Sequence, residues 1–167
     1  MQSRIKNPAM LLPDAVQALQ ALNGVLEKSG FSPTILGLVH LRVSQVNGCS
    51  VCVDMGWRQL KRSGESDERL FAVSAWCDAP YFTEAERAAL ALAEAATRVA
   101  DRPDPVPDDV WNEAARHFSE RELANLTLSI ALTNVWNRLN ITTRQVAGEW
   151  IKSSAAKEWT ERHAMAQ

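Results

Sequence analysis

Helical periodicity is the feature that most restricts how this chain can fold. Apolar residues recur every three to four positions along nearly all of its 167 residues, and the β-branched runs that strands require are absent. The first periodic segment starts at Pro13 and stops at Gly30, with an apolar stripe through Val16, Leu19, Leu22 and Leu26. The pattern therefore predicts an all-α protein.

Capping residues divide this pattern into separate helices. Helices are expected to begin after Ser32, Thr83 and Ser119, and the last two each have a glutamate three residues later that completes a capping box. The Ser32 helix should end at Asn47, where Asn-Gly breaks it, and the next should run from the cysteines to about Gly64. The proline-rich stretch 101–109 is predicted to be a loop, and residues 142–150 are expected to continue the last helix.

Length and charge narrow the class of protein. The chain is expected to form one domain over residues 1–167, with a core at about 5–150 and a polar tail at 153–167. Its formal net charge of -2 gives no reason to expect nucleic-acid binding. No apolar run approaches the length needed to cross a bilayer, and the start has no secretory pattern. We expect a cytoplasmic protein that does not bind membranes.

Two cysteines, Cys49 and Cys52, stand where the third helix begins. A helix N-terminus stabilises a thiolate, and the two-residue spacing allows one sulfur, once oxidised, to form a disulfide with the other. The alternative is a pair of small buried apolar residues. Structural zinc needs four ligands, and no second such motif accompanies this one, so no metal or cofactor is expected. A third cysteine, Cys77, stands alone.

The sequence around these cysteines is more informative than their spacing. The segment "LVHLRVSQVNGCSVCVDM", followed by "LKRSGESDERLFAVSAW", "AERAALALAEAATR" and "IALTNVWNRLN", resembles the carboxymuconolactone decarboxylase family on its alkylhydroperoxidase D-like branch. The resemblance covers about residues 5–150. It implies an all-helical bundle that assembles into trimers or hexamers. It also implies a thiol peroxidase that reduces a hydroperoxide and is re-reduced by a dithiol.

The resemblance assigns roles to the two cysteines and exposes a departure beside them. In that family the second cysteine, here Cys52, attacks the peroxide, and the first, here Cys49, resolves it. The glutamate and histidine of the family's proton relay fall at Gly37 and Gly56. We therefore expect attenuated activity, with His40, one turn after Gly37, as the nearest substitute base. The other explanation for His40 is a packing residue with one satisfied nitrogen.

Loss of two relay side chains is also expected to leave a pocket beside the sulfurs, with Trp57 and Asn134 as possible lining residues. Packing alone is the other explanation for Trp57, and a polar helix contact is the other explanation for Asn134, Asn137 and Arg138. The leading hypothesis is a cysteine-based hydroperoxide reductase or thiol-disulfide oxidoreductase. The alternatives are a ligand-binding protein or decarboxylase-like or lyase-like enzyme that uses this pocket, and a structural oligomer without activity.

Overall fold

The computed structural model describes residues 1–101 and 103–152, and the predicted polar tail at 153–167 lies outside them. The described residues form helices and connecting turns, with no strand among them. Their α-helices are α1 (Pro8–Leu11), α2 (Pro13–Glu27), α3 (Pro33–Asn47), α4 (Ser50–Arg62), α5 (Asp67–Ala72), α6 (Glu84–Thr97), α7 (Asp108–His117) and α8 (Glu120–Thr142). Short 3-10 helices follow at Val73–Ala75 and Trp150–Lys152. The predicted all-α class is confirmed.

The capping residues mark the helix starts as predicted. Ser32 accepts a hydrogen bond from the Ile35 backbone, and Thr83 and Ser119 each form a full capping box. The expectation of helix over 142–150 is wrong: α8 ends at Thr142, and Arg144 and Gly148 adopt positive φ angles of 54° and 79° that interrupt a helix. Helices α1 and α7 were not predicted from the sequence.

Helix α3 lies at the centre of the fold and packs against α4, α6 and α8. One apolar cluster joins α3 to α6, α7 and α8, and a second joins α3 to α4, α5 and α6. This explains why α3 is apolar on most of its surface. Arg42 of α3 forms an ion pair with Glu94 of α6, which also accepts a hydrogen bond of 2.9 Å from Trp76 Nε1.

The buried stripe of α8 changes character along the helix. Positions spaced by three and four residues face inward, and they read Leu123, Leu126, Ile130, Thr133, Asn137 and Asn140. The first half of this stripe packs in the apolar core. The second half is polar and therefore needs hydrogen-bond partners inside the protein. Those partners lie on α3, at the start of α4 and in the N-terminal segment.

Two glycines allow α3 and α4 to approach closely. A Cβ atom at Gly37 of α3 would lie 2.6 Å from Leu60 Cδ2 of α4. A Cβ atom at Gly56 of α4 would lie 2.8 Å from His40 Cδ2 of α3. Each glycine thus receives a side chain from the facing helix. This corrects the expectation that Gly37 and Gly56 open a pocket beside the sulfurs, because Leu60 and His40 occupy the space.

This packing predicts opposite effects of alanine at two helical glycines. Gly24→Ala in α2, where nothing lies within 4 Å, should raise the free energy of unfolding by up to about 1 kcal/mol, because alanine favours the helix. Gly37→Ala should gain the same propensity but displace buried Leu60, and overpacking costs about 1–3 kcal/mol. Denaturant unfolding should therefore find Gly37→Ala less stable than Gly24→Ala by at least about 1 kcal/mol. Equal stabilisation by both changes would contradict the close approach.

Candidate redox site

The cysteine pair lies at the N-terminus of α4. Cys49 is the N-cap residue, and its Sγ accepts a hydrogen bond of 3.3 Å from the Cys52 backbone N–H. The two sulfurs are joined as a disulfide across a Cα–Cα distance of 5.4 Å. Residue exposure is only 1% for Cys49 and 2% for Cys52, and Met55 and Trp150 pack against the pair. The site combines a helix N-terminus with a low-dielectric surrounding, which strengthens hydrogen bonds to sulfur.

The C-terminal half of α8 supplies a polar contact to one sulfur. Asn140 Nδ2 lies 3.3 Å from Cys52 Sγ, and both groups are buried. An amide N–H can only donate, so this contact is a hydrogen bond toward the sulfur. The two cysteines therefore have different donors: a backbone N–H faces Cys49 Sγ, and a side-chain amide faces Cys52 Sγ.

A second set of amides fixes the turn that leads into the cysteines. Asn47, the last residue of α3, donates from Nδ2 to Asn137 Oδ1 at 2.8 Å and lies 3.0 Å from Asn134 Oδ1. Asn137 is fully buried and donates to Ser44 Oγ at 3.2 Å. Gly48 then makes the turn with a φ of 71°, a conformation that glycine adopts readily. These bonds hold the end of α3, and with it Cys49, against α8.

His40 extends from α3 to the same region, but each of its ring nitrogens already has a partner. Nε2 lies 3.3 Å from the Cys52 carbonyl oxygen and Nδ1 lies 3.4 Å from Thr133 Oγ1. Since a carbonyl oxygen only accepts, the proton of a neutral ring belongs on Nε2. Burial lowers the pKa of His40 below the ordinary 6.5, and the bond to Cys52 acts in the opposite direction. The neutral imidazole of His40 thus donates a hydrogen bond to the Cys52 backbone and helps hold it in place.

The other residues that the sequence singled out are Trp57, Asn134 and Cys77, and each has a different setting. Trp57 lines a groove of about 420 Å³ together with Leu41, Gln45, Ser50, Val53 and Phe71, and neither glycine lines it. Asn134 belongs to the amide network described above, not to that groove. Cys77 is an exposed free thiol, and partial burial and the nearby Glu94 raise its pKa.

No three His, Cys, Asp or Glu side chains of residues 1–101 and 103–152 come together as a metal site would require. Every helix in these ranges is too short or too polar to span a bilayer.

These observations define a helical protein with a disulfide at a buried helix start, and comparison with known proteins gives its family. The carboxymuconolactone decarboxylase family model matches residues 13–95. The uncharacterized protein YdfG of Bacillus subtilis is 30% identical over 78% of this chain and 88% of its own length. The chain belongs to the carboxymuconolactone decarboxylase family. A second relative, the uncharacterized protein YnjA of Escherichia coli, is 36% identical over 68% of this chain and 61% of its own length.

Solved structures confirm the predicted fold. A protein of unknown function from Agrobacterium tumefaciens, described as a putative antioxidant defence protein AhpD, superposes with a TM-score of 0.82 at 34% identity. The match covers 87% of this chain and 98% of that one. The debrominase Bmp8 shares the fold, with a TM-score of 0.74 at 22% identity over 82% of this chain and 73% of its own. The predicted alkylhydroperoxidase D-like resemblance is confirmed by the first of these structures.

Asn140 and Thr133 were not predicted as site residues, although the sequence carries a signal for both. They continue the three- and four-residue spacing of Leu123, Leu126 and Ile130 along the inward face of α8. Polar residues at core-facing positions need buried partners and are therefore candidates for a site. Asn7 was also missed, because its position beside Asn140 depends on long-range folding of the N-terminal segment.

The lowered pKa of His40 predicts that protein stability falls in mild acid. Unfolded histidine takes up a proton near pH 6.5, whereas folded His40 does so only at lower pH. The contribution of neutral His40 to the free energy of unfolding is therefore complete above pH 6.5. It is lost as pH falls below that value, with a slope of at most about 1.4 kcal/mol per pH unit. His40→Gln keeps a side-chain N–H donor but does not titrate. The loss of stability between pH 7.5 and 5.5, measured by urea unfolding, should be smaller in this variant than in the starting protein, and equal losses would contradict the assignment.

Proposed function

We propose that this protein is a thiol peroxidase: Cys52 reduces a hydroperoxide, Cys49 resolves the product as a disulfide, and an external dithiol restores both thiols. The observation that carries the proposal is the Cys49–Cys52 disulfide at the start of α4, with a hydrogen-bond donor at each sulfur. Family membership and the likeness to the Agrobacterium tumefaciens protein support a redox role.

The proposed cycle has three balanced steps. The Cys52 thiolate attacks one peroxide oxygen, the O–O bond breaks, an alcohol leaves after taking up a proton, and Cys52 becomes a sulfenic acid. The Cys49 thiol then attacks the Cys52 sulfur, forming the disulfide and releasing water. Finally, an external dithiol reduces the disulfide and is itself oxidised to a disulfide. Each turnover transfers two electrons from the dithiol to the hydroperoxide.

Proton transfer in this cycle proceeds without the relay groups at positions 37 and 56. A positioned base contributes typically 10²–10⁴-fold to such a step, so the peroxidase is expected to be slow. His40 cannot directly take the proton of Cys52 in this arrangement, because its nitrogens face the Cys52 carbonyl and Thr133. Its role in the proposal is to hold the backbone of Cys52. Activation of the thiol then depends on the α4 N-terminus and the donors at the sulfurs.

Burial of the cysteine pair restricts the access of a hydroperoxide to Cys52. Trp150 packs against the cysteine cluster, and its Nε1 donates to Asp54 Oδ2 at 3.2 Å. A hydroperoxide can meet Cys52 only when a covering side chain moves. The alternative of a ligand-binding protein, decarboxylase or lyase depended on a pocket at Gly37 and Gly56, and Leu60 and His40 fill that space. The structure therefore favours the peroxidase.

Cysteine substitutions should separate the roles of Cys52 and Cys49. Cys52→Ser should reduce consumption of cumene hydroperoxide, with dihydrolipoamide as reductant, to the rate of the reductant alone. Cys49→Ser should also lose turnover but should accumulate a sulfenic acid at Cys52, which dimedone labels and peptide mapping locates. The matched control is Cys77→Ser, whose turnover should equal that of the starting protein. Dimedone labelling at residue 49 of a Cys52→Ser protein would reverse the assigned roles, and full turnover without Cys52 would exclude the mechanism.

We also propose that the chain assembles as a trimer or hexamer. Several large apolar side chains are exposed on the described surface, including Phe71, Leu128, Val135 and Ile141. Apolar surface of this kind is commonly covered by another subunit.

Light scattering at micromolar concentration should accordingly give three or six times the chain mass of 18.5 kDa. Val135→Glu, which places a charge on the exposed side of α8, should lower that mass. A mass of one chain for the starting protein would contradict the proposal.

A further inference from the structure

We propose that Asn140 is a catalytic residue that stabilises the Cys52 thiolate through its side-chain N–H, and that Asn7 is the positioning residue that aims it. The inference rests on the proposed function, since it describes how Cys52 is activated where the relay positions hold glycine. Asn140 Nδ2 lies 3.3 Å from Cys52 Sγ, and both residues are at most 8% exposed.

The orientation of the Asn140 amide follows from a chain of hydrogen bonds that begins at α1. Asn7 is the N-cap of α1, and its Oδ1 accepts from the Ala9 backbone N–H at 2.9 Å. Its Nδ2 must then point away from the helix, and it donates to Asn140 Oδ1 at 2.8 Å. Because Asn140 Oδ1 is used as an acceptor, Nδ2 is the atom that faces Cys52. The helix cap thereby fixes which end of the Asn140 amide meets the sulfur.

Further contacts hold Asn7 in place. The Arg4 backbone N–H donates to the Thr143 carbonyl at 2.9 Å, and Gln145 Nε2 donates to the Ile5 carbonyl at 2.9 Å. The N-terminal segment is thus paired with the chain that leaves α8, just after Asn140. The donor is therefore positioned before the sulfur becomes charged, and no rearrangement is required when it does.

A donor at this point acts at two steps of the cycle. In the reduced protein it stabilises the thiolate, which is the form that attacks a hydroperoxide. During reduction of the disulfide it stabilises Cys52 as the departing thiolate when a dithiol attacks Cys49. The same hydrogen bond thus favours both the attack by Cys52 and its release.

The thiolate can be measured without any peroxide. In a Cys49→Ser/Cys77→Ser background Cys52 is the one cysteine left in the chain, and its rate of alkylation by iodoacetamide against pH reports the thiolate fraction. Asn140→Leu should move the midpoint of this profile upward by about one pH unit, which is tenfold less thiolate below the midpoint. Asn140→Asp keeps the shape and the Asn7 contact but presents an acceptor, and it should move the midpoint at least as far.

Two further variants distinguish positioning from packing. Asn7→Asp still caps α1 but cannot donate to Asn140, so the Asn140 amide should turn its oxygen toward Cys52 and the midpoint should rise. That rise should persist at about 1 M salt, where a remote charge effect is screened. The matched control is Asn125→Leu, which removes another buried amide of α8, bonded to Leu26 and Ser29. It should lose stability and leave the midpoint unchanged.

The outcomes separate this inference from the proposed function. An unchanged midpoint in Asn140→Leu and Asn140→Asp overturns the role of Asn140, even if the starting protein reduces hydroperoxides. A midpoint that rises in both Asn140 variants supports the role of Asn140. If, in addition, no variant shows peroxide turnover, only the peroxidase proposal fails. A midpoint that Asn7→Asp leaves unchanged overturns the positioning role of Asn7.

Discussion

Buried amide groups need hydrogen-bond partners, and this requirement governs the arrangement of the site. The C-terminal half of α8 places Thr133, Asn137 and Asn140 on a face that is enclosed by the fold. A buried amide without a partner costs about 1–3 kcal/mol, so each of these side chains constrains what lies opposite. Their partners are His40, the end of α3 and the Cys52 sulfur. The helix that closes the apolar core thereby also sets the position of both cysteines.

The close packing of α3 against α4 explains the glycines at positions 37 and 56. Each provides room for a side chain from the opposite helix: Leu60 lies against Gly37 and His40 lies against Gly56. An imidazole is thus still present beside Cys52, but it enters from α3 and contacts the Cys52 carbonyl. In the proposed mechanism His40 therefore supports the backbone of Cys52 and does not relay a proton. This arrangement is consistent with a slow thiol peroxidase whose thiolate is stabilised by fixed donors.

Local signals in the sequence were sufficient for most of the fold and for part of the site. Capping residues such as Ser32 and Thr83 act within one turn, and the cysteine motif marks a helix start by its own spacing, so both were predicted. The pocket at Gly37 and Gly56 was predicted wrongly, because a missing side chain shows only what one helix lacks and not what the facing helix inserts. Asn140 and Asn7 are 133 residues apart, and their contact depends on tertiary folding that no local pattern shows. Helix α1 has only four residues, and α7 begins inside the proline-rich stretch 101–109 that was predicted to be a loop, so both were missed.

Single-turnover oxidation of the pre-reduced protein tests the central claim most directly. One equivalent of hydroperoxide should remove two thiols per chain and yield one equivalent of alcohol. Mass mapping should then find Cys49 joined to Cys52, with Cys77 still reduced. If hydroperoxide in excess leaves the thiol content unchanged, or if the lost thiols belong to a bridge that contains Cys77, the cysteine pair is not the reducing centre and the proposed mechanism is contradicted.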